Sequence, residues 1–417
     1  MALQPRVLGD FLHTWEEYAK YLPAPANFKR WGGLFLISAA LSRKVWVTTD
    51  PTFPPLFANL FILLVGPPGC GKDIVINKVV KLINAANEGM TQGTGFRMAG
   101  RSISAKGIID LMAEDDSCFN YRAKVNGKTG KVEFHSVLVC VPELGTLLPE
   151  YNTQLVSFLN ELYNCNEMFE EQIRGRGTNS TVKITNPHLA MLMGTQPTTL
   201  SETFPEQAFR MGFFSRTNII STKKSMPVKL YDRTRPNNEA LFPKLVSDLR
   251  AISMLQGEFK TTPDFEELSN NFHLQQPQSL KHSRFEDYNT RRSLHLHKLA
   301  MICAISENSK MLLDTTQFER AKKYLYEAET DAPAVFDGIV TSEGFQHSIE
   351  QVLVGKGNGT GIISHQQLER SLRRTHKPHE VGHIIRSMIG GGDIIEMETK
   401  TGLPKYKIAT IDLEKFK

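Results

Sequence analysis

Cysteine pairs are the first thing that this sequence lacks. Its five cysteines are scattered over 417 residues, without a Cys-x-x-Cys pair and without a Cys/His cluster at the spacing of zinc ligands. An odd and scattered set favours reduced thiols in a cytosolic protein. These absences argue against a disulfide framework and against a structural zinc site.

Long apolar runs are also missing. The longest run, residues 33–41, is far too short to span a bilayer, and the first residues do not have the pattern of a signal peptide. We therefore expect no membrane partner and a cytoplasmic location, which is the host cell cytoplasm if a phage encodes the chain.

Strong charge of either sign is missing as well. The net charge is +5, from 49 basic and 44 acidic residues, which permits an anionic partner such as nucleic acid without requiring one. The hydrophobic fraction of 41% and the charged fraction of 22% are ordinary for a globular protein. The length suffices for two or three domains.

Short apolar runs alternate with helical patterns in the first half of the chain. Each run has the length and composition of a parallel strand that is buried on both faces. The four runs are residues 59–65, 137–141, 188–194 and 217–221. Strands that alternate with helices predict an α/β fold with a parallel sheet.

The pattern changes twice towards the end of the chain. From about residue 235 to 338 only helical patterns occur, and a glycine-rich stretch at 355–361 then precedes a compact basic segment. We therefore predict four regions. They are an N-terminal helical region (1–50), an α/β core (51–225), a helical lid (226–340) and a C-terminal domain (341–417).

A phosphate-binding loop follows the first buried strand. The motif Gly-x-x-x-x-Gly-Lys opens a predicted helix at residues 74–84, which is the strand–loop–helix context that it requires. Its residues are Gly66, Pro67, Pro68, Gly69, Cys70, Gly71, Lys72 and Asp73. Backbone N–H groups and the helix N-terminus would surround phosphate oxygens, and Lys72 would reach the β- and γ-phosphates of ATP.

The residues expected to organise Mg²⁺ depart from the usual pattern. Asp73 stands where a Ser or Thr normally follows the lysine, and Pro142 replaces the first of two acids at the end of strand 137–141. Only Glu143 remains there. Our hypothesis is that Asp73 takes over the metal-organising role beside Glu143, and that Glu143 is the general base. The alternative is a site that binds nucleotide but hydrolyses it poorly.

Polar residues at two further strand ends suit the same chemistry. Gln196 or Thr195, at the tip of the third strand, would lie between the two acidic loops and orient the attacking water. Arg216, or as second choice Arg210, precedes the fourth strand and suits an arginine finger supplied to a neighbouring subunit. An ordinary strand-end turn and a surface ion pair are the alternatives.

A pair of arginines begins a helical pattern in the lid region. Arg291 or Arg292 could reach the γ-phosphate from there, and solvation of a helix end is the alternative.

Two hairpins with basic side chains are predicted in the α/β core. One covers residues 170–184 and the other turns at Asn126-Gly127. Their candidate phosphate-binding residues are Arg174, Arg176, Lys183, Lys124 and Lys128. Such tips would bind single-stranded DNA without regard to sequence, in the central pore of a ring. Solvated turns are the alternative.

The C-terminal segment has the element order of a winged helix. Helices are predicted at 364–374 and 378–389, followed by a hairpin from residue 394 to about 408, and the segment is rich in Lys and Arg. Winged helices often bind DNA. They also serve as protein-docking modules, so both functions stay open.

Taken in order, these motifs resemble those of AAA+ ATPases. Residues 59–72 with the phosphate loop, 142–148, 194–197 and 214–216 are similar to those of phage and mobile-element helicase ATPases that are often fused to primases. They are more distantly similar to minichromosome maintenance helicases. The resemblance covers about residues 25–417. It implies an AAA+ P-loop parallel sheet with a helical lid and a C-terminal winged-helix domain.

The resemblance also implies a function. It implies a homo-oligomeric ring, a hexamer, that hydrolyses ATP with Mg²⁺ and moves along single-stranded DNA in its central pore, together with a primase or other replication partners. A zinc-binding primase region is missing, so primer synthesis is not implied. The alternative from another class is an assembly factor or helicase loader with weak ATP turnover. A small-molecule kinase would not need the additional lid and C-terminal domain.

Overall fold

The structure is a computed structural model that describes most of the chain. The residues outside the description are 1–4, 91–94, 126–127, 149–152, 175–178, 198, 201–203, 205–211, 223–230, 232–235, 237, 336–361, 373–381, 383–384, 386–388, 390–393, 398–403 and 409–417. The chain divides into two compact units, Met1–Phe336 and Asp337–Lys417. The predicted boundaries after residues 50 and 225 fall inside the first unit.

Helices and strands are numbered here in chain order. The helices are α1 (Phe11–Ala19), α2 (Ala26–Leu41), α3 (Lys72–Asn87), α4 (Ala105–Ala113), α5 (Leu144–Leu147), α6 (Thr153–Asn164), α7 (Phe242–Ser253), α8 (Pro263–Gln275), α9 (Glu286–Asn289), α10 (Arg292–Glu307), α11 (Thr315–Asp331) and α12 (His365–Leu372). The strands are β1 (Val45–Val47), β2 (Leu56–Phe57), β3 (Phe61–Val65), β4 (Cys118–Val125), β5 (Lys128–Val141), β6 (Met168–Arg174), β7 (Asn179–Thr185), β8 (Pro187–Thr195), β9 (Thr217–Ser221), β10 (Gly257–Glu258), β11 (Lys260–Thr261), β12 (Leu312–Leu313), β13 (Ile362–Ser364), β14 (Ile394–Met397) and β15 (Lys405–Ile408).

The central sheet has the strand order β4-β5-β8-β3-β9. Strands β5, β8, β3 and β9 are parallel, whereas β4 is antiparallel to β5, so the sheet is mixed. Every residue of β3, β8 and β9 is buried, which explains their continuous apolar sequences. The prediction of an α/β fold with parallel strands is confirmed.

Residues 97–99 extend the parallel part of the sheet. Leu138 of β5 donates its N–H to the Arg97 carbonyl and accepts from Ala99 N–H, both at 2.8 Å. This parallel bridge is too short to produce an apolar run, and the sequence did not predict it.

Both predicted hairpins are present. In the first, Val125 of β4 pairs with Lys128 of β5, so a two-residue loop joins the strands. In the second, β6 and β7 pair from Met168–Thr185 to Arg174–Asn179. The base of the second hairpin is anchored by the buried side chains of Phe169 and Ile184.

The helical region packs against the N-terminal helices. Helix α7 contacts α1, α2 and α3, and α10 contacts both α2 and α11. Strand β10 pairs in parallel with β1, which joins residue 257 to residue 45. The helices therefore complete the hydrophobic core around the sheet and the N-terminus.

The second unit contains a three-stranded sheet of order β13-β15-β14 and helix α12. Strand β15 is antiparallel to both neighbours, so the predicted C-terminal hairpin is confirmed. The imidazole Nδ1 of His365 lies 2.8 Å from the Tyr406 hydroxyl and ties α12 to the sheet. Most of the helix predicted at 378–389 lies outside the described residues.

Candidate nucleotide site and its opposite edge

The carboxyl ends of three parallel strands bring the predicted site residues together. The phosphate loop follows β3, Pro142 and Glu143 follow β5, and Thr195 ends β8. Because β8 lies between β5 and β3, its tip lies between the phosphate loop and Glu143. This is the arrangement that the sequence analysis predicted for the third strand.

Two glycines give the phosphate loop its shape. Gly69 and Gly71 have φ angles of +72° and +92°, which L side chains rarely adopt. A Cβ at Gly71 would lie 2.2 Å from the Pro23 carbonyl oxygen, whereas nothing lies within 4 Å of a Cβ at Gly69. The loop is thus packed on one side against the segment that joins α1 to α2 and open on the other.

The N-terminus of α3 provides hydrogen-bond donors next to this loop. Gly71 is the N-cap residue, and no side chain caps the helix. The first N–H groups of a helix have no partner within the helix, and its dipole favours an anion there. Together with the open face of the loop, they fit a phosphate group.

Lys72 is 6% exposed and lies over the loop. Its Nζ donates to the carbonyl oxygens of Gly66 at 2.6 Å and Pro67 at 3.3 Å. The ammonium is therefore bound by neutral acceptors, and a phosphate oxygen could replace them with a charge-assisted bond.

Glu143 lies at the centre of the acidic part of the site. Burial raises the pKa of its carboxyl group, while Lys72 and a hydrogen bond from Thr195 lower it and the charge of Asp73 raises it again. The Thr195 hydroxyl donates to Glu143 Oε1 at 3.3 Å. All four predicted side chains are thus within electrostatic reach of one another.

The carboxylates of Asp73 and Glu143 are the candidate ligands of Mg²⁺. No group of three or more His, Cys, Asp or Glu side chains suited to a metal occurs in the part of the chain that the structure describes. Magnesium commonly uses one or two carboxylates together with waters and substrate phosphates. A pair of carboxylates beside a phosphate loop therefore fits this ion.

Thr195, rather than Gln196, contacts Glu143. Gln196 is half-buried, and its described hydrogen bonds are made by its backbone carbonyl, which accepts from the Thr195 hydroxyl and from Leu200 N–H. The sequence analysis allowed either residue to orient the water. The geometry favours Thr195 for holding Glu143.

Arg216 lies at the opposite edge of the sheet. It immediately precedes β9, whose first residue, Thr217, is in register with Phe61 at the start of β3. The start and end of this five-residue strand are separated by roughly 13 Å. Arg216 therefore lies at the end of the sheet opposite to the phosphate loop of its own chain. Arg210 lies outside the described residues.

The guanidinium of Arg216 has neutral acceptors. Its Nε and Nη2 donate to Asn164 Oδ1, both at 3.3 Å, and its Nη1 donates to the Gly212 carbonyl at 2.9 Å. Burial and the nearby charge of Arg291 lower the pKa of Arg216 to about 10. Arg291 thus also lies at this amino edge rather than beside Lys72.

Arg292 forms an ion pair inside the protein. Its Nε and Nη2 donate to the two carboxylate oxygens of Glu329, both at 2.7 Å, and its side chain is 1% exposed. The predicted contact of Arg292 with nucleotide is therefore not favoured, because this guanidinium already has a buried partner.

The predicted nucleic-acid residues lie on the two hairpins. Lys183 is exposed and pairs with Glu170 across β6 and β7 at 2.9 Å. Arg174 ends β6, Lys124 lies in β4 and Lys128 begins β5, but their side chains are outside the description. Arg176 lies entirely outside it.

Sequence reasoning missed the contact between the phosphate loop and the α1–α2 connection. The Cα of Ala24 is 2.8 Å from the position of a Cβ at Gly71. Asn27, at the start of α2, donates to the carbonyl of Ser221, the last residue of β9, at 2.9 Å. Only the prolines at 23 and 25 signalled a fixed backbone here.

No protein-family model matches this chain, and no curated protein matches it. No helix in the described ranges is both long enough and apolar enough to cross a membrane.

Proposed function

We propose that this chain is a P-loop ATPase of the AAA+ type that moves along DNA as a ring, in the replication of a phage or mobile element. The observation that carries the proposal is the convergence of Lys72, Asp73, Thr195 and Glu143 at one edge of the sheet, with Arg216 at the other edge. Such a division requires a second subunit to complete the site, which supports a homo-oligomer such as a hexamer.

Each side chain has a defined task in this proposal. Thr195 occupies Oε1 of Glu143, so Oε2 is left to accept a proton from the attacking water. Lys72 moves from the carbonyls of its own loop to the β- and γ-phosphates of ATP. Asp73, with Glu143 beside it, would hold Mg²⁺ together with phosphate oxygens, and the ion would supply charge neutralisation there. Arg216 of a neighbouring subunit stabilises the charge on the transferred phosphoryl group.

Single-stranded DNA is the proposed polymer. The hairpins β4–β5 and β6–β7 carry Arg174, Arg176, Lys183, Lys124 and Lys128, which suit contacts with phosphates in a central pore. Strand β5 supports the idea, because it runs without interruption from the first hairpin to Val141, two residues before Glu143. The C-terminal unit, which we propose to be a winged helix, would bind DNA or a replication partner such as a primase.

The first test is steady-state ATP turnover with Mg²⁺, with and without single-stranded DNA. DNA should stimulate turnover, and Lys72→Ala and Glu143→Gln should each lower it by about 100-fold or more. Glu267→Gln, at an exposed position of α8, is the matched control and should change nothing. Turnover that neither change affects would overturn the assignment of the site.

DNA binding has its own test. Alanine at Arg174, Arg176 and Lys183 should weaken binding to single-stranded DNA of any sequence and should lower the salt dependence of the affinity by about one unit of slope per lost phosphate contact. Lys260→Ala, at an exposed position of β11, is the control for loss of positive charge. Unchanged affinity and slope would remove the second hairpin from the proposed pore.

An assembly factor or helicase loader with weak turnover is the second candidate. It is favoured by Pro142, which removes one acid from the usual pair, and by the exposure of Asp73. This candidate predicts that ATP binds and promotes oligomerisation while turnover stays low with or without DNA. Substituting Lys72 would then abolish assembly, whereas Glu143→Gln would leave it intact.

A further inference from the structure

Asn164 accepts two hydrogen bonds from the guanidinium of Arg216. It is the last residue of α6, it is exposed, and its Oδ1 accepts both the Nε–H and an Nη2–H of Arg216 at 3.3 Å. Gly212 completes the set, because its carbonyl accepts from Nη1. A Cβ at Gly212 would lie 2.6 Å from that nitrogen, so the chain passes as close to the guanidinium as a backbone can.

The acceptors of Arg216 are neutral, a feature that it shares with Arg43 and Arg250 but not with the ion-paired arginines of the chain. Arg292 pairs with Glu329, Arg6 with Asp248, and Arg320 with Asp10 and Glu307. Among the described residues, no carboxylate forms an ion pair with Arg216. Its positive charge is therefore held in place without being cancelled, and the nearby Arg291 adds to it.

The acceptor itself is rigidly mounted. The carbonyl of Tyr163 accepts from Asn59 Nδ2 at 2.9 Å, and the Tyr163 ring packs edge-on against Phe61 with centroids 4.9 Å apart. The ammonium of Lys298 lies 4.0 Å from the centre of the same ring. These contacts fix the end of α6 to the start of β3 and to α10, and so hold the backbone of Asn164 in place beside Arg216.

We propose that Asn164 is a positioning residue that keeps Arg216 available, as an uncompensated charge, for the nucleotide phosphate of a second copy of this chain. The inference rests on the proposed function. The two bonds to Asn164 are long and neutral, so a phosphate can displace them, whereas a carboxylate at the same position could not be displaced as easily.

Asn164→Asp tests the idea with almost no change of shape. The new carboxylate should bind Arg216 as an ion pair and lower kcat by about tenfold or more, while KM for ATP and the melting temperature stay close to their original values. Asn164→Ser, which keeps a neutral oxygen, should lower kcat by less than about threefold. Ser157→Asp adds the same charge at an exposed position of the same helix and is the matched control.

Mixing subunits provides a second measurement. An Asn164→Asp subunit has an intact phosphate loop, so adding Lys72→Ala subunits, whose Arg216 is intact, should restore part of its turnover. A structural defect inside the Asp variant would not be repaired by a neighbour. If mixing restores nothing, or if the Ser and Asp variants lose equal activity, the inference is overturned.

Failure of the proposed function gives a different result. Arg216→Ala should lower kcat by about 1000-fold if this residue is an arginine finger. If Arg216→Ala retains full turnover, the finger assignment itself fails. If Arg216→Ala is inactive while Asn164→Asp keeps kcat within twofold of the original, only the role of Asn164 is overturned.

Discussion

The carboxyl and amino edges of the central sheet, where the parallel strands end and begin, differ in how their charged side chains are exposed and paired. At the carboxyl edge, Asp73 is exposed, Glu143 is half-buried, and Lys72 rests on backbone carbonyls of its own loop. At the amino edge, the cations of Arg216 and Lys298 are buried against amide and carbonyl oxygens. One edge carries the proposed phosphate site, and the other holds positive charge that the described residues of its own chain do not pair with a carboxylate.

The placement of the phosphate loop and Arg216 at opposite ends of the parallel strands has a consequence for the proposed function. A single chain cannot bring Arg216 to its own phosphate loop, because β3 separates the two. Two copies can, if the amino edge of one meets the carboxyl edge of the next. Contacts of this kind are heterologous, and they close into a ring when the rotation between copies allows it.

The largest effect is expected when one edge is inactivated in one subunit and the other edge is inactivated in a second subunit. When assayed alone, Lys72→Ala should lower turnover by about 100-fold or more and Arg216→Ala by about 1000-fold. In a 1:1 mixture, about a quarter of the interfaces would join an intact phosphate loop to an intact Arg216, and that share of activity should return. The measurement is ATP turnover as a function of mixing ratio. Arg216→Ala mixed with the double variant, in which no interface joins an intact phosphate loop to an intact Arg216, is the control, and recovery no larger than in that control would contradict the division between edges.

The next effect separates two adjacent arginines. Arg292→Ala should destabilise the protein by about 3–5 kcal/mol, because Glu329 would remain buried without its partner. Arg291→Ala should change stability by less than about 0.5 kcal/mol, since Arg291 lies near the like charge of Arg216 and forms no ion pair among the described residues. Urea unfolding checks both values. Equal loss of stability in the two variants would show that Arg292 is not the structural member of the pair.

A smaller effect is expected at Thr195. Thr195→Val removes the hydroxyl that holds Oε1 of Glu143 and should lower turnover by about tenfold. Because that hydrogen bond lowers the pKa of Glu143, its loss raises the pKa, and the acidic limb of the pH–rate profile should move to higher pH. Thr195→Ser retains the hydroxyl and should restore both features. A shift to lower pH would contradict the assignment of Glu143 as the base.

The smallest effect at neutral pH concerns His188, which lies buried among the cations near the amino edge and whose contribution grows as the pH falls. Burial, followed by the charges of Arg43, Lys298 and Lys44, lowers its pKa to about 3 from an ordinary value of 6.5. Between these values the unfolded chain binds more protons than the folded one, so stability falls as the pH falls through this window. The contribution is up to about 1.4 kcal/mol per pH unit.

His188→Leu should therefore show a flatter loss of stability between pH 6.5 and 3 than the unaltered protein. His13→Leu, which alters an exposed histidine of α1, is the control and should leave the slope unchanged. The measurement is the free energy of unfolding at a series of pH values. Parallel curves for the unaltered protein and His188→Leu would mean that this histidine titrates normally.

Local patterns in the sequence predicted the strands and the phosphate loop because these features need few residues. Four apolar runs became β3, the end of β5, β8 and β9, and the glycine motif predicted the loop with Lys72. Glu143 was proposed as a site residue because it follows a buried strand. Each of these inferences depends on neighbours within about ten residues, where periodicity and turn chemistry are informative.

Local sequence patterns could not predict the contacts between segments that are distant in the chain. The choice between Thr195 and Gln196, or between Arg291 and Arg292, depends on which way two successive side chains point, and that direction is set by packing. Asn164 and Arg216 are separated by 52 positions along the chain. The phosphate loop packs at Gly71 against Pro23, which lies in the connection between α1 and α2. These pairs become visible only when the sheet order is known.

Strand β5 connects the hairpin proposed to contact DNA with the segment that carries Glu143. Its fourteen residues run from the turn of the first hairpin to the residue before Pro142, a length of roughly 45 Å. Ladder bonds to β4 and then to β8 stiffen it along its whole course. A force applied at the hairpin tip would therefore be transmitted along β5 to Glu143. Under the proposed function, tension on the polymer would then displace the residue that activates water.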